Sequence, residues 1–229
     1  MSVRQLHPWD VTPAQAIEIQ KALAARVVRE DDLPPINRLG GVDVGFEDGG
    51  RTTRAAVVVL GFPGLEHLEV AVARRATRFP YVPGLLSFRE LPAVLDALAR
   101  LATWPDLLLC DGQGIAHPRR LGIASHLGLI ADLPSIGVGK SRLTGRYREP
   151  GPEKGCWTPL CDGDETVGAV LRSRTGVKPL FVSIGHRVSL GTAIDVVLRA
   201  APRYRLPETT RWADRVASQR GRKKSTDHD

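Results

Sequence analysis

The chain has little of what would mark a secreted, metal-stapled or membrane protein. Its 229 residues include three cysteines, Cys110, Cys156 and Cys161, an odd number with no Cys-x-x-Cys pair. That argues against a disulfide framework and a structural zinc site, and for a reducing cytoplasm. The longest apolar run, Ala55 to Leu60, is far too short to span a bilayer. No charged-then-apolar signal pattern opens the N-terminus, so a soluble cytoplasmic protein is expected. Lysine is scarce as well: only six of the 32 basic residues are lysine. A lysine that falls inside a motif is therefore more informative than usual.

What is present is ordinary for a globular protein: 42% hydrophobic and 25% charged residues, in a length that suits one substantial core. The net charge of +7 fits a polyanionic partner or an arginine-rich proteome equally well until motifs decide.

Thr12-Pro13 opens an amphipathic helix expected over residues 13–30, with Thr12 as the cap. Gly41 to Phe46 alternates as a strand, and Asp48-Gly49-Gly50 is a hairpin turn signal. Strands follow at Thr53 to Leu60 and Glu66 to Thr77, completing an antiparallel meander. The proline-rich loop Phe79 to Gly84 leads into a helix over Ser87 to Leu101. Leu107 to Cys110 is a short apolar strand, Arg119 to Ala131 a helix, and Ser135 to Val138 a fifth strand. Further on, Val167 to Leu171 and Leu180 to Ile184 look like strands and Ser189 to Ala200 like a helix. The sum is an α/β fold, a mixed sheet of meander plus parallel strands flanked by helices. One domain is expected over residues 1–214, then a charged, disordered tail over 215–229.

A helix between the third and fourth strands lets the fourth lie parallel beside the first. Asp43 on the first strand and Asp111 at the end of the fourth would then be near neighbours, and ligands of such sheets gather outside carboxyl ends. Carboxylates in buried runs are unfavourable unless paired or coordinated. With Glu90 from the intervening helix they make a set suited to magnesium, a substrate phosphate and water. Metal-assisted phosphodiester hydrolysis fits that set, with one ion or two. Lys140, in Ile136-Gly137-Val138-Gly139-Lys140, lies at the same end as a compact charge for a phosphate. His117, in His117-Pro118-Arg119-Arg120, has three open roles: metal ligand, phosphate contact, or water positioning. His126 suits a core or capping role, and His186-Arg187 could position a loop or bind phosphate.

Several blocks together resemble the endonuclease V family. They are Phe79-Pro80-Tyr81-Val82-Pro83-Gly84-Leu85-Leu86-Ser87-Phe88-Arg89-Glu90; Asp111-Gly112-x-Gly114 with His117-Pro118-Arg119 and Gly122-x-Ala124-Ser125-His126; Gly137-Val138-Gly139-Lys140; Gly185-His186-Arg187-Val188-Ser189; and Leu206-Pro207-Glu208-Thr209-Thr210-Arg211. Their order and spacing cover the chain from about Leu23 to Ser218. The resemblance implies a ribonuclease H-like fold and a Mg2+-dependent DNA repair endonuclease that recognises deaminated bases, chiefly deoxyinosine. It implies nicking at the second phosphodiester bond 3′ to the lesion, with Mn2+ able to substitute. It assigns metal to Asp43, Glu90 and Asp111, with Asp214 as a further candidate, and phosphate assistance to Lys140. Tyr81, between Pro80 and Pro83, would be a wedge replacing the displaced base. Gly84, Leu86 and Gly122 would line the base pocket.

Two residues depart from that pattern: Gln113 stands where histidine is frequent and Gly139 where alanine is usual. Other readings are an inosine-directed or structure-specific ribonuclease, with inosine-containing single-stranded RNA as its substrate, a non-catalytic nucleic-acid binding module, and a small-molecule phosphatase. A monomer is expected.

Overall fold

The computed structural model describes residues 3–218. A twisted sheet of eight strands runs through it in the order β3-β2-β1-β4-β5-β8-β7-β6. The meander is formed by β1 (Arg38–Glu47), β2 (Thr52–Gly61) and β3 (His67–Ala76). The short strands β4 (Leu107–Asp111) and β5 (Ser135–Gly139) continue the sheet in parallel with β1. β8 (Leu180–His186) pairs antiparallel with β5, followed by β7 (Glu165–Leu171) and the edge strand β6 (Trp157–Asp162). This is the expected ribonuclease H-like sheet, meander and parallel strands included.

Both faces are covered, which explains the apolar density of the central strands. On β2, Ala55, Val57 and Val59 face α2 (Leu86–Leu98) and α3 (Ile123–Ala131). Val58 and Leu60 on its other side meet α5 (Glu208–Ala217). Leu107 and Leu109 of β4 pack toward α1 (Pro13–Ala24) and α4 (Leu190–Ala200).

Several boundaries differ from expectation for local reasons. α1 begins at the Thr12 cap as expected but ends at Ala24, not residue 30. Beyond it the backbone is used by tertiary partners: Val28 N–H donates to His186 Nδ1 at 3.2 Å and Val28 C=O accepts from Arg187 N–H at 2.8 Å. α3 begins at Ile123, not Arg119, because Arg120 has φ +56°, which a right-handed helix cannot contain. β6 was not expected; Pro159 hides it, and a proline is tolerated there because β6 is an edge.

α5 is buried mainly through small side chains. Its buried residues are Thr209, Thr210, Ala213 and Ala217, and it lies so close to β1 that a Cβ on Gly41 would sit 2.2 Å from the Thr209 carbonyl oxygen. The helix continues through Arg215 to Ala217, three residues into the expected tail, whose residues 219–229 lie outside the described residues.

Candidate active site

The register of β1 against β4 pairs Val42 with Cys110, one residue before Asp43 and Asp111. Two adjacent parallel strands therefore present their acids at the same end of the sheet. Glu90, one turn into α2, comes in from the face above. All three line one cavity of about 380 Å³, together with Lys140, His117, Gly84, Leu86 and Gly122. Residues separated by as much as 97 positions in sequence thus share one site.

The electrostatics of the set are strained by charge. Burial, then the neighbouring Asp111, pushes the Asp43 carboxyl up to about 7, against a backbone hydrogen bond from Val44 N–H at 2.8 Å. Burial, then Asp43 and Asp111, pushes Glu90 up to about 8. Lys140 forms an ion pair with Asp111. Its own burial opposes its charge, but that bond and the charges of Asp111, Asp43 and Asp214 outweigh it and raise its pKa.

Among the described residues no three His, Cys, Asp or Glu side chains converge as a finished metal-ligand set. The donor chemistry nevertheless fits a hard divalent cation: three carboxylates, no sulfur, and a repulsion that such a charge would relieve. Asp214, half-buried on α5, does not line the cavity but interacts electrostatically with Asp43 and Lys140.

His117 has both ring nitrogens engaged within the protein. Its Nε2–H donates to the Gly84 carbonyl at 3.0 Å, and its Nδ1 accepts from Arg119 N–H at 3.1 Å. Burial and Arg119 hold its pKa down to about 4, so the ring is neutral and both nitrogens are engaged. His126 takes the expected core role, with Nδ1 against Ser87 Oγ at 2.9 Å and Nε2 against His7 at 2.7 Å. His186 and Arg187 hold the 28–32 segment.

Tyr81 is 70% exposed at the tip of its loop, between the exposed Pro80 and Pro83. A packed loop aromatic is thereby excluded. Arg89 fixes the root of this loop, donating to Phe79 O at 3.1 Å while stacking on the Phe46 ring.

The profile of the Endonuclease V family matches residues 21–215, the greater part of the chain. The chain belongs to the endonuclease V family. It is 62% identical over 213 residues to Endonuclease V of Nostoc punctiforme, covering 93% of this chain and 96% of that one. Among solved structures it is similar to Endonuclease V of Streptomyces avermitilis, at a TM-score of 0.88 and 46% identity over 96% and 97% of the two chains. Endonuclease V of Ciona intestinalis, crystallised with a 23mer DNA containing an inosine followed by a ribo-adenosine, superposes at a TM-score of 0.80 with 26% identity over 91% and 98% of the chains. Membership makes this protein a nuclease, in agreement with the acid-lined cavity.

The two departures from the family blocks meet in one contact. A Cβ on Gly139 would lie 2.1 Å from the Gln113 carboxamide nitrogen, which donates to Ser141 O at 3.0 Å. A longer residue at 113 thus fills the space that glycine at 139 leaves open. Reading the sequence missed Gln20, Ser87 and Gln113 as cavity residues. Gln20 gave no signal, because a glutamine on an amphipathic helix is ordinarily solvated.

Proposed function

We propose that this nuclease acts on DNA containing deaminated bases, chiefly deoxyinosine, and hydrolyses the second phosphodiester bond 3′ to the lesion. The observation that carries the reading is the single cavity holding Asp43, Glu90, Asp111 and Lys140 beside an exposed, proline-flanked Tyr81. The relative crystallised with inosine-containing DNA supports the substrate. Asp43, Glu90 and Asp111 would hold Mg2+, or Mn2+ in its place, with Asp214 adding its charge from α5. The chemistry a cation held there would supply is activation of a water and charge stabilisation at the leaving oxygen.

The chain's own residues do the rest. Lys140 remains protonated through its carboxylate neighbours and supplies positive charge for the scissile phosphate. Asp43 and Glu90, when ionised, are the groups that receive the cation. Tyr81 fills the gap in the stack left by the displaced base, and its prolines reduce the entropy lost on insertion. The backbone around Gly84, Leu86 and Gly122 lines the base pocket. His117 acts by fixing the Gly84 carbonyl, not by transferring a proton. We read the chain as one nuclease domain closed by α5, monomeric, in a reducing cytoplasm that suits its three free cysteines.

The test is a Mg2+-dependent nicking assay on a duplex with one central deoxyinosine, the product mapped to the nucleotide. Asp43→Ala should abolish nicking while leaving lesion binding measurable. Nicking that survives in Asp43→Ala would sink the metal assignment. Because the ligand of the Ciona relative carries a ribo-adenosine after its inosine, matched DNA and RNA substrates belong in the same assay. Faster cleavage of the RNA would transfer the proposal to an inosine-directed ribonuclease.

A further inference from the structure

The family match begins at residue 21, within α1, and Gln20, the residue just before it, is 1% exposed. Both hydrogens and the oxygen of its carboxamide are hydrogen-bonded. Nε2 donates one hydrogen to the Gly84 carbonyl at 2.9 Å and the other to the Leu121 carbonyl at 3.0 Å, and Oε1 accepts from Arg119 Nε. The two carbonyls belong to separate segments that both reach the cavity, through Gly84 itself and through Gly122 next to Leu121. Gly84 closes the loop that carries Tyr81, and Leu121 precedes Gly122, the N-cap of α3.

The Gly84 carbonyl is held by two further donors, His117 Nε2 at 3.0 Å and Arg119 Nη2 at 2.8 Å. Gly84 itself has φ +78°, a backbone conformation that glycine adopts at no steric cost. A Cβ there would lie 2.8 Å from Arg119 Nη2, so the fit leaves no space for a side chain. Three donors on one carbonyl are more than packing requires. An apolar residue at position 20 would bury the helix face equally well, and a buried amide is tolerated only when fully bonded.

We infer that Gln20 is a positioning residue that sets the separation of the two pocket walls, and through it which bases the pocket admits. The inference rests on the reading of this cavity as the base pocket. A purine ring with no C2 substituent, such as hypoxanthine, demands less room between the walls than one bearing an amino or oxo group there. A bridge of fixed length between Gly84 and Leu121 therefore discriminates by width. Gln20 is hydrogen-bonded to Gly84, Leu121 and Arg119, not to Asp43, Glu90, Asp111 or Lys140.

The variant is Gln20→Met, close in shape but unable to donate, compared with Thr12→Ala. Thr12 caps the same helix at its far end, its Oγ1 accepting from Gln15 N–H at 3.3 Å, and does not line the cavity. Two measurements are made on each: kcat/KM for duplexes carrying deoxyinosine, deoxyxanthosine or no lesion, and amide hydrogen exchange of the peptide spanning Phe79 to Phe88. Gln20→Met should lower kcat/KM on deoxyinosine by up to about 100-fold, chiefly through KM, since small misplacements are costly. Cleavage of deoxyxanthosine relative to deoxyinosine should rise, and the 79–88 peptide should exchange faster. Thr12→Ala should change neither the ratio nor that peptide.

An active wild type with unchanged ratio and unchanged exchange in Gln20→Met overturns the inference. So does an equal effect from Thr12→Ala, which would show that α1 only needs to be docked. If the wild type does not nick deoxyinosine, the proposed function fails, and the exchange of the 79–88 peptide alone then decides whether Gln20 braces the loop. Should Gln20→Met not fold, Gln20→Asn keeps the amide but withdraws it by one methylene, and the same two measurements decide.

Discussion

Tyr81 stands 70% exposed between two prolines, so the stiffness they impose on it has to be accounted for by what it meets. Tyr81→Ala should weaken the preference for deoxyinosine over undamaged duplex more than it slows hydrolysis. Kinetics on both duplexes check this, and an equal loss on the two would show a merely structural side chain. Gln113 and Gly139 form a second testable pair. Gly139→Ala alone forces the Gln113 carboxamide to give way and should reduce both stability and kcat/KM. In a Gln113→Ala background the same change should be nearly neutral. A double-mutant cycle measures the coupling, expected at about 0.5–3 kcal/mol for residues in contact. His117 illustrates how far residue type falls short of role. Its position in the sequence left three functions open, and two hydrogen bonds gave it a fourth.

Among the elements, α5 is the one whose packing the amino-acid pattern concealed. Its buried side is threonine and alanine, and it is admitted to the sheet by the absence of a side chain at Gly41. Gly41→Ala drives a methyl group into the Thr209 backbone, which cannot move aside as a flexible side chain would. The change should cost about 1–3 kcal/mol, as overpacking does. At roughly 2–4 °C per kcal/mol for a protein of this size, thermal denaturation would show it clearly. An unchanged Tm would mean that α5 is free to lift from β1. Because Asp214 sits on that helix, the same variant should also weaken the cation response of the site. The meander, β4 and β5 were readable because β-branched and apolar runs between turn signals leave few alternatives. β6 and the start of α3 were not, since an edge proline and a left-handed arginine each have a tertiary explanation only.

At the scale of the whole molecule, the acid cluster opposes the stability of the cation-free protein. Asp43 and Glu90 have folded pKa values raised to about 7 and about 8 from the ordinary 3.8 and 4.5. Their contribution is fully present below the unfolded values and is lost as pH rises through 7 and 8. His126, held down to about 3 from 6.5 by burial, has the opposite sign: its contribution is present above 6.5 and is lost as pH falls toward 3. The two oppose each other below pH 6.5, which leaves the interval from 6.5 to 8 governed by the carboxylates. Without divalent cation, Tm should therefore fall from pH 6.5 to 8. Adding Mg2+ should raise Tm more at pH 8 than at 6.5, because the ionised carboxylates bind it. Glu90→Gln should flatten the metal-free profile while abolishing nicking, and calorimetry in chelator and in Mg2+ checks both. A cation response that is equal at the two pH values would refute the placement of the ion among these acids.

The amino-acid sequence by itself determined the α/β class, the strands that carry Asp43 and Asp111, the loop that presents Tyr81, and the family blocks. These are local properties: periodicity, turn chemistry, and short motifs whose residues act where they stand. Only the tertiary structure decided which side chains meet. It brought Glu90 over Asp43 and Asp111, made His117 a donor to the Gly84 carbonyl, and showed the Gln113–Gly139 fit. It also made Gln20 the bridge between two loops 64 and 101 positions away. Such contacts depend on register, on the hand of crossovers and on where glycine lets backbones approach, and no single stretch of chain contains that information.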